Sequence, residues 1–188
     1  MALEFLLKRR SVVASQLAEP GPDGDQIVEL IRAAIRVPDH KALAPWRFIV
    51  FTGKARVDFG RSIAAIYERK EGETCAERAL ENERNRFSRA PVVIGVVASP
   101  VESGTVPASE QLLSAGAACQ NLLHGAKALG FAAQWITEWV AYDKDVHQLL
   151  KLGDTETIAG FIYIGSSSQV PKERPRVTPD QKMTYWSL

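Results

Sequence analysis

The chain has 188 residues, 46% of them hydrophobic and 24% charged, with a formal net charge of +1. That length supports one domain with a real core, and the near-neutral balance leaves no broad field to favour nucleic acid or an acidic membrane surface. Cys75 and Cys119 lie far apart, with no Cys-x-x-Cys or Cys/His ligand spacing, which argues against a structural zinc site and fits a reducing cytoplasm.

Leu3, Phe5, Leu6 and Leu7 give a first helix an apolar face. The run is too short for a signal peptide and carries Glu4. No stretch approaches the roughly 20 apolar residues of a membrane span, so the expectation is a cytoplasmic protein without membrane contact. A turn-prone stretch from Ala18 to Asp25 breaks the chain. Ile27, Leu30, Ile31, Ala34 and Ile35 then recur at helical spacing until Pro38 stops the helix near Arg36. Residues 46–51, rich in aromatic and β-branched side chains, read as a strand, and residues 55–69 as a helix. Residues 68–89 are heavily charged, with a helix predicted over 74–86. They read as a solvated helical surface, or alternatively as a lid over a pocket.

Residues 91–98 read as a strand buried on both faces. The longest helix is predicted over 108–129. It is apolar nearly all round and must be buried on most sides, and its small residues Ser114 to Ala118 would let another backbone approach, so a dimer interface is expected there. Gly130 ends it. A strand over 131–137, a short helix over 143–150 and a strand over 158–165 follow. The tail from Ser166 is rich in Pro, Lys and Arg and ends in aromatics. Helices and strands alternate within one domain, residues 1–188, so the class is α/β or α+β.

Several chemistries fail on context. No Gly-x-Ser-x-Gly elbow exists. His40, His124 and His147 share no metal-ligand spacing, so no metal is expected. Gly21-Pro22-Asp23-Gly24 follows no strand and is no dinucleotide loop. What remains is Arg9-Arg10-Ser11, two guanidiniums and a hydroxyl able to hold a phosphate, followed one helix later by Pro38-Asp39-His40-Lys41 and Pro45-Trp46. An anion grip, a donor-rich turn and a flat aromatic suggest a phosphorylated, planar cofactor. The Arg pair has a plainer use, as cations complementing a helix C-terminus.

Taken in order, Arg9-Arg10-Ser11, the block from Arg36 to Phe48, the run from Gly116 to Phe131 and the strand ending Tyr163-Ile164-Gly165 resemble the FMN-dependent nitroreductase family, in its small YdjA-type branch. The resemblance implies an α+β, three-layer fold with a mixed, largely antiparallel sheet flanked by helices. It implies a homodimer with the C-terminal tail, residues 166–188, exchanged between subunits and FMN at the interface. NADPH or NADH would serve as electron donor and a small molecule such as a nitroaromatic or quinone as acceptor, in a ping-pong cycle, with FMN and no side chain carrying the chemistry. It implies that Arg9, Arg10 and Ser11 grip the phosphate, that Arg36 and His40 contact the cofactor, that Trp135, Ile136 and Thr137 line the flavin from the other chain, and that Lys172 and Arg174 help neutralise the phosphate. A dehalogenase or a flavin-fragmenting oxygenase on the same scaffold is an alternative, as is a non-enzymatic dimerisation module. The chain departs from the pattern at Val13, where many members carry a basic residue, and at Ala42 and Ala44, where many carry Asn and Gln. Arg10, Arg36 or Lys41 could replace the missing cation.

Overall fold

The computed structural model describes residues 2–72 and 75–187. Among the described residues six α-helices and four strands follow in the order α1 (Ala2–Lys8), α2 (Gly24–Ala34), β1 (Trp46–Thr52), α3 (Gly53–Glu71), α4 (Glu77–Arg84), β2 (Val92–Ala98), α5 (Ala108–Ala128), β3 (Ala132–Ile136), α6 (Lys144–Leu149) and β4 (Thr157–Gly165). The strands form one sheet in the order β1-β2-β4-β3, and every pairing is antiparallel. Helices cover both faces, giving the three-layer α+β arrangement expected from the sequence. Among the described residues no helix is long and apolar enough to cross a membrane.

The sheet is apolar on both sides because it separates two cores. On one face Phe51, Phe59, Phe87 and Phe161 stack with ring centroids 4.6–5.0 Å apart. On the other, Leu30 and Ala34 of α2 pack with Leu122 and Ala126 of α5 against Ile94 and Ile162. The alternation along β4 changes phase once. A register shift between Val96 and Val97 skips Ala159, so Ile158 joins Phe161 and Tyr163 on the aromatic face while Ile162 and Ile164 face α5. Gly125 lets α2 approach α5: a Cβ there would stand 3.0 Å from Leu30 Cδ2.

Local signals set the helix ends. Asp23 caps α2, accepting from Gln26 N–H at 2.9 Å while Gln26 Oε1 accepts from Asp23 N–H at 3.0 Å, and this box starts the helix at Gly24, just before the position that periodicity suggests. Within residues 68–89, Glu73 and Thr74 lie outside the described residues. The rest is more than a solvated surface, since Leu80, Glu83, Arg86 and Phe87 are buried. Two apolar faces lack cover within one chain. No residue of α1 is buried, with Leu3 at 68% exposure, and α5 leaves Leu113 at 74%.

Candidate functional site

The chain after α1 is stitched to the free edge of β3. Val12 N–H donates to the Ala133 carbonyl at 3.2 Å, and Ala14 N–H to Gln134 Oε1 at 2.6 Å. The C-terminal segment is tied to the same neighbourhood, since Ala18 and Ser166 exchange backbone hydrogen bonds of 2.8 and 2.9 Å. These two attachments bring Arg9, Arg10 and Ser11 opposite Lys172, Arg174 and Arg176 across a cleft of about 100 Å³.

The cleft is short of negative charge. Glu173 pairs with Arg10 and lies 3.7 Å from Arg176, and no carboxylate pairs with Arg9 among the described residues. Burial, and then the charges of Arg176 and Arg10, push the Arg9 guanidinium below its ordinary pKa. The site therefore holds a cation whose charged form is disfavoured by burial and by two neighbouring arginines. An anion with several acceptor oxygens would satisfy the cluster. His124 on α5 stands nearby, its pKa lowered by burial and by Arg9, and stacks edge-on against Phe5 at 6.0 Å.

Further along the same segment a second pocket opens, about 550 Å³, between Val13 to Ser15 and the end of β3. Trp135, Ile136 and Thr137 line it. Trp135 Nε1 donates to the Ala159 carbonyl at 3.1 Å and lies over Gly160, where a Cβ would collide with the indole. The next residue, Glu138, has φ +54°, a conformation costly for a side chain other than glycine. Its carboxylate is held by Arg86 and lies 3.7 Å from Arg89, and Arg89 and Asn82 complete the pocket wall. Strained backbone clamped by charges at a pocket is a common mark of a functional loop.

The Pro38 cluster builds a third, more apolar pocket of about 420 Å³, walled by Pro38, His40, Pro45, Val106, Leu113 and Ser114. His40 Nδ1 lies 2.8 Å from Glu110 Oε1, Lys41 Nζ donates to Thr105 Oγ1 at 2.7 Å, and Trp46 Nε1 donates to Ser114 Oγ at 3.1 Å. Lys41, Ala42 and Ala44 all have positive φ, held in a turn whose Leu43 and Ala44 N–H groups donate to the Asp39 carboxylate at 3.0 and 2.9 Å. Arg36 lines none of these three pockets; its carbonyl accepts from Asn121 Nδ2 at 3.0 Å.

The structure thus gathers Arg9, Arg10, Ser11, Lys172 and Arg174 into one cleft, and sets Trp135, Ile136 and Thr137 in a pocket beside residues 13–15 of the same segment. Arg36 and His40 stand apart from both in the single chain. Sequence reading missed Arg176, Asn82, Arg89 and Glu138. Arg176 continues the alternation of Lys172 and Arg174 and was available to inspection. The other three gain meaning only from the tertiary contact between residues 82–89 and the end of β3.

A model of the nitroreductase family matches residues 6–166 of the chain. YdjA of Escherichia coli (strain K12), whose name marks it as a candidate NAD(P)H nitroreductase, is 37% identical over 94% of this chain and 98% of its own. Among solved structures, a nitroreductase-like family protein from Bacillus cereus superposes with a TM-score of 0.82 over 98% of this chain and 95% of its own, at 21% identity. The FMN and NADPH-dependent nitroreductase NfnB from Sphigopyxis sp. strain HMH superposes with a TM-score of 0.74 over the whole of both chains, at 20% identity. The last two likenesses concern the fold.

Proposed function

The chain belongs to the nitroreductase family, and from that premise we propose that it is an FMN-dependent oxidoreductase passing a hydride from NADPH or NADH to an electron-poor acceptor such as a nitroaromatic or a quinone. The observation that carries this reading is the cleft of Arg9, Arg10, Ser11, Lys172, Arg174 and Arg176, five cations with Glu173 as their carboxylate partner among the described residues. A phosphate supplies the charge and the acceptor oxygens that this donor set lacks. The neighbouring pocket, walled by Val13, Trp135, Ile136 and Thr137, has about 550 Å³, enough for a ring system. The residues present therefore fit FMN at both of its ends.

Bound there, FMN supplies the hydride-accepting and hydride-donating centre. The chain's own residues bind and orient. The arginine cluster would fix the phosphate, and residues 13–15 with the end of β3 would hold the ring. On this reading the nicotinamide and the acceptor take the same place in turn, which is a ping-pong order. On this reading the accompanying proton is drawn from water rather than from a named side chain.

The active unit on this reading is a cytoplasmic homodimer. Leu3, Leu7 and Leu113 are exposed apolar side chains that a second copy would cover, and Trp186, 81% exposed, ends a tail that would reach it. The test is the absorbance spectrum of the purified protein before and after anaerobic addition of NADPH. A visible flavin band that bleaches is the expected result. A band that persists with both NADPH and NADH would remove the donor assignment, and a protein that stays colourless after FMN is supplied would overturn the reading.

A further inference from the structure

The pocket beside the phosphate cleft needs a cation that the N-terminal segment does not provide. Two electrons delivered to a flavin leave negative charge on its ring, and a fixed positive charge nearby makes that state more favourable. Val13, which lines the pocket, is apolar. None of the three replacements suggested by the sequence lines this pocket. Arg10 bonds the carbonyls of Leu7 and Arg9 and pairs with Glu173. Lys41 donates to Thr105. Arg36 lies outside this pocket.

We propose that Arg89 is the cation that faces the bound ring and sets how tightly the reduced cofactor is held, with Glu138 as the opposing charge that tempers it; the inference rests on the FMN-binding reading above. Arg89 and Glu138 both line the pocket. The short turn that carries Arg89, Arg86–Arg89, is anchored by Phe87, which is fully buried among Phe51, Phe59 and Phe161, so the position of Arg89 is fixed by the core. Its charge is only loosely compensated. Glu138 is drawn to Arg86, leaving 3.7 Å between its other oxygen and Arg89 Nη1. Glu83, which neutralises Arg86 from the far side, is buried and does not line the pocket. The pocket therefore meets one cation and one carboxylate, the cation free to turn toward a ligand and the carboxylate held back.

The experiment first titrates oxidised FMN into the wild-type, Arg89→Gln, Arg89→Lys and Glu138→Gln proteins, then measures the midpoint potential of each loaded protein against reference dyes. Removing the Arg89 charge is expected to weaken reduced FMN relative to oxidised FMN by about tenfold, a potential about 30 mV more negative for a two-electron couple. Arg89→Lys should restore most of that shift, and Glu138→Gln should move the potential the opposite way. Unchanged potentials in Arg89→Gln and Glu138→Gln, with FMN bound, would overturn the assignment and leave the FMN reading standing. Failure of the wild type to bind oxidised FMN would overturn that reading, and this one with it. Should Arg89→Gln not fold, Glu138→Gln decides alone: a more positive potential supports the proposal and an unchanged one refutes it.

Discussion

Two arginine clusters in this chain are built on opposite terms. Arg86 is 6% exposed and meets carboxylates on two sides, donating through Nε to Glu83 at 2.6 Å and pairing with Glu138, while Trp139 Nε1 donates to Glu83 at 3.1 Å. Arg9 is partly open, and its charged neighbours of first influence are other arginines. A cation surrounded by acceptors needs nothing further and serves the fold. A cation surrounded by cations costs free energy until something anionic arrives, which is how binding sites differ from structural ion pairs.

Substitutions at the two clusters should therefore separate cleanly. Arg86→Ala leaves Glu83 buried without its partner, and unfolding by denaturant should show a loss of about 3–5 kcal/mol. Arg9→Ala should leave the thermal midpoint of the FMN-free protein unchanged or raised, since it relieves repulsion. Fluorescence titration should show its FMN affinity down by about 1.5–3 kcal/mol, roughly 10- to 150-fold. A destabilised Arg9→Ala protein with normal FMN affinity would erase the distinction.

The Arg47–Glu156 pair extends the comparison to pH. Arg47 donates from Nε and Nη2 at 2.7 Å each, and this bond is the chief reason the Glu156 carboxyl falls to about 2, with Ser99 Oγ–H and Gly153 N–H adding to it. A carboxyl lowered on folding contributes stability that is whole above its unfolded value of 4.5 and is lost as pH falls toward 2. Glu156→Gln should thus be less stable than wild type at neutral pH, with the difference shrinking over that acid range in pH-dependent melts. The smallest effect belongs to the Pro38 loop, which stores strain in place of surplus charge. Ala44 has φ +48°, so Ala44→Gly should raise stability by about 1 kcal/mol in the same assay.

Much of the fold was legible because its signals are local. The period of Ile27, Leu30, Ile31 and Ala34 and the unbroken apolar run Val92 to Ala98 each declare an element without reference to the rest of the chain. The phosphate cleft was legible in part for the same reason, since Arg9-Arg10-Ser11 is contiguous. What escaped is what only pairing creates. The charge of residues 68–89 hid Phe87, whose burial depends on a surrounding aromatic cluster, and with it the direction of Arg89. Glu138 gave no sign of its positive φ, because the partners of its carboxylate, Arg86 and Arg89, lie far away in the chain and only the fold brings them to it.

The wall formed by Lys172, Arg174 and Arg176 belongs to a segment whose residues are all exposed. Little apolar burial holds that segment down, and its cations repel Arg9 and Arg10 across the cleft. An occupying phosphate turns that repulsion into attraction, so the ligand acts as a clasp joining the two ends of the fold. Protease cleavage within residues 172–176 should accordingly be slowed by saturating FMN, and the segment becomes a reporter of whether the protein is loaded.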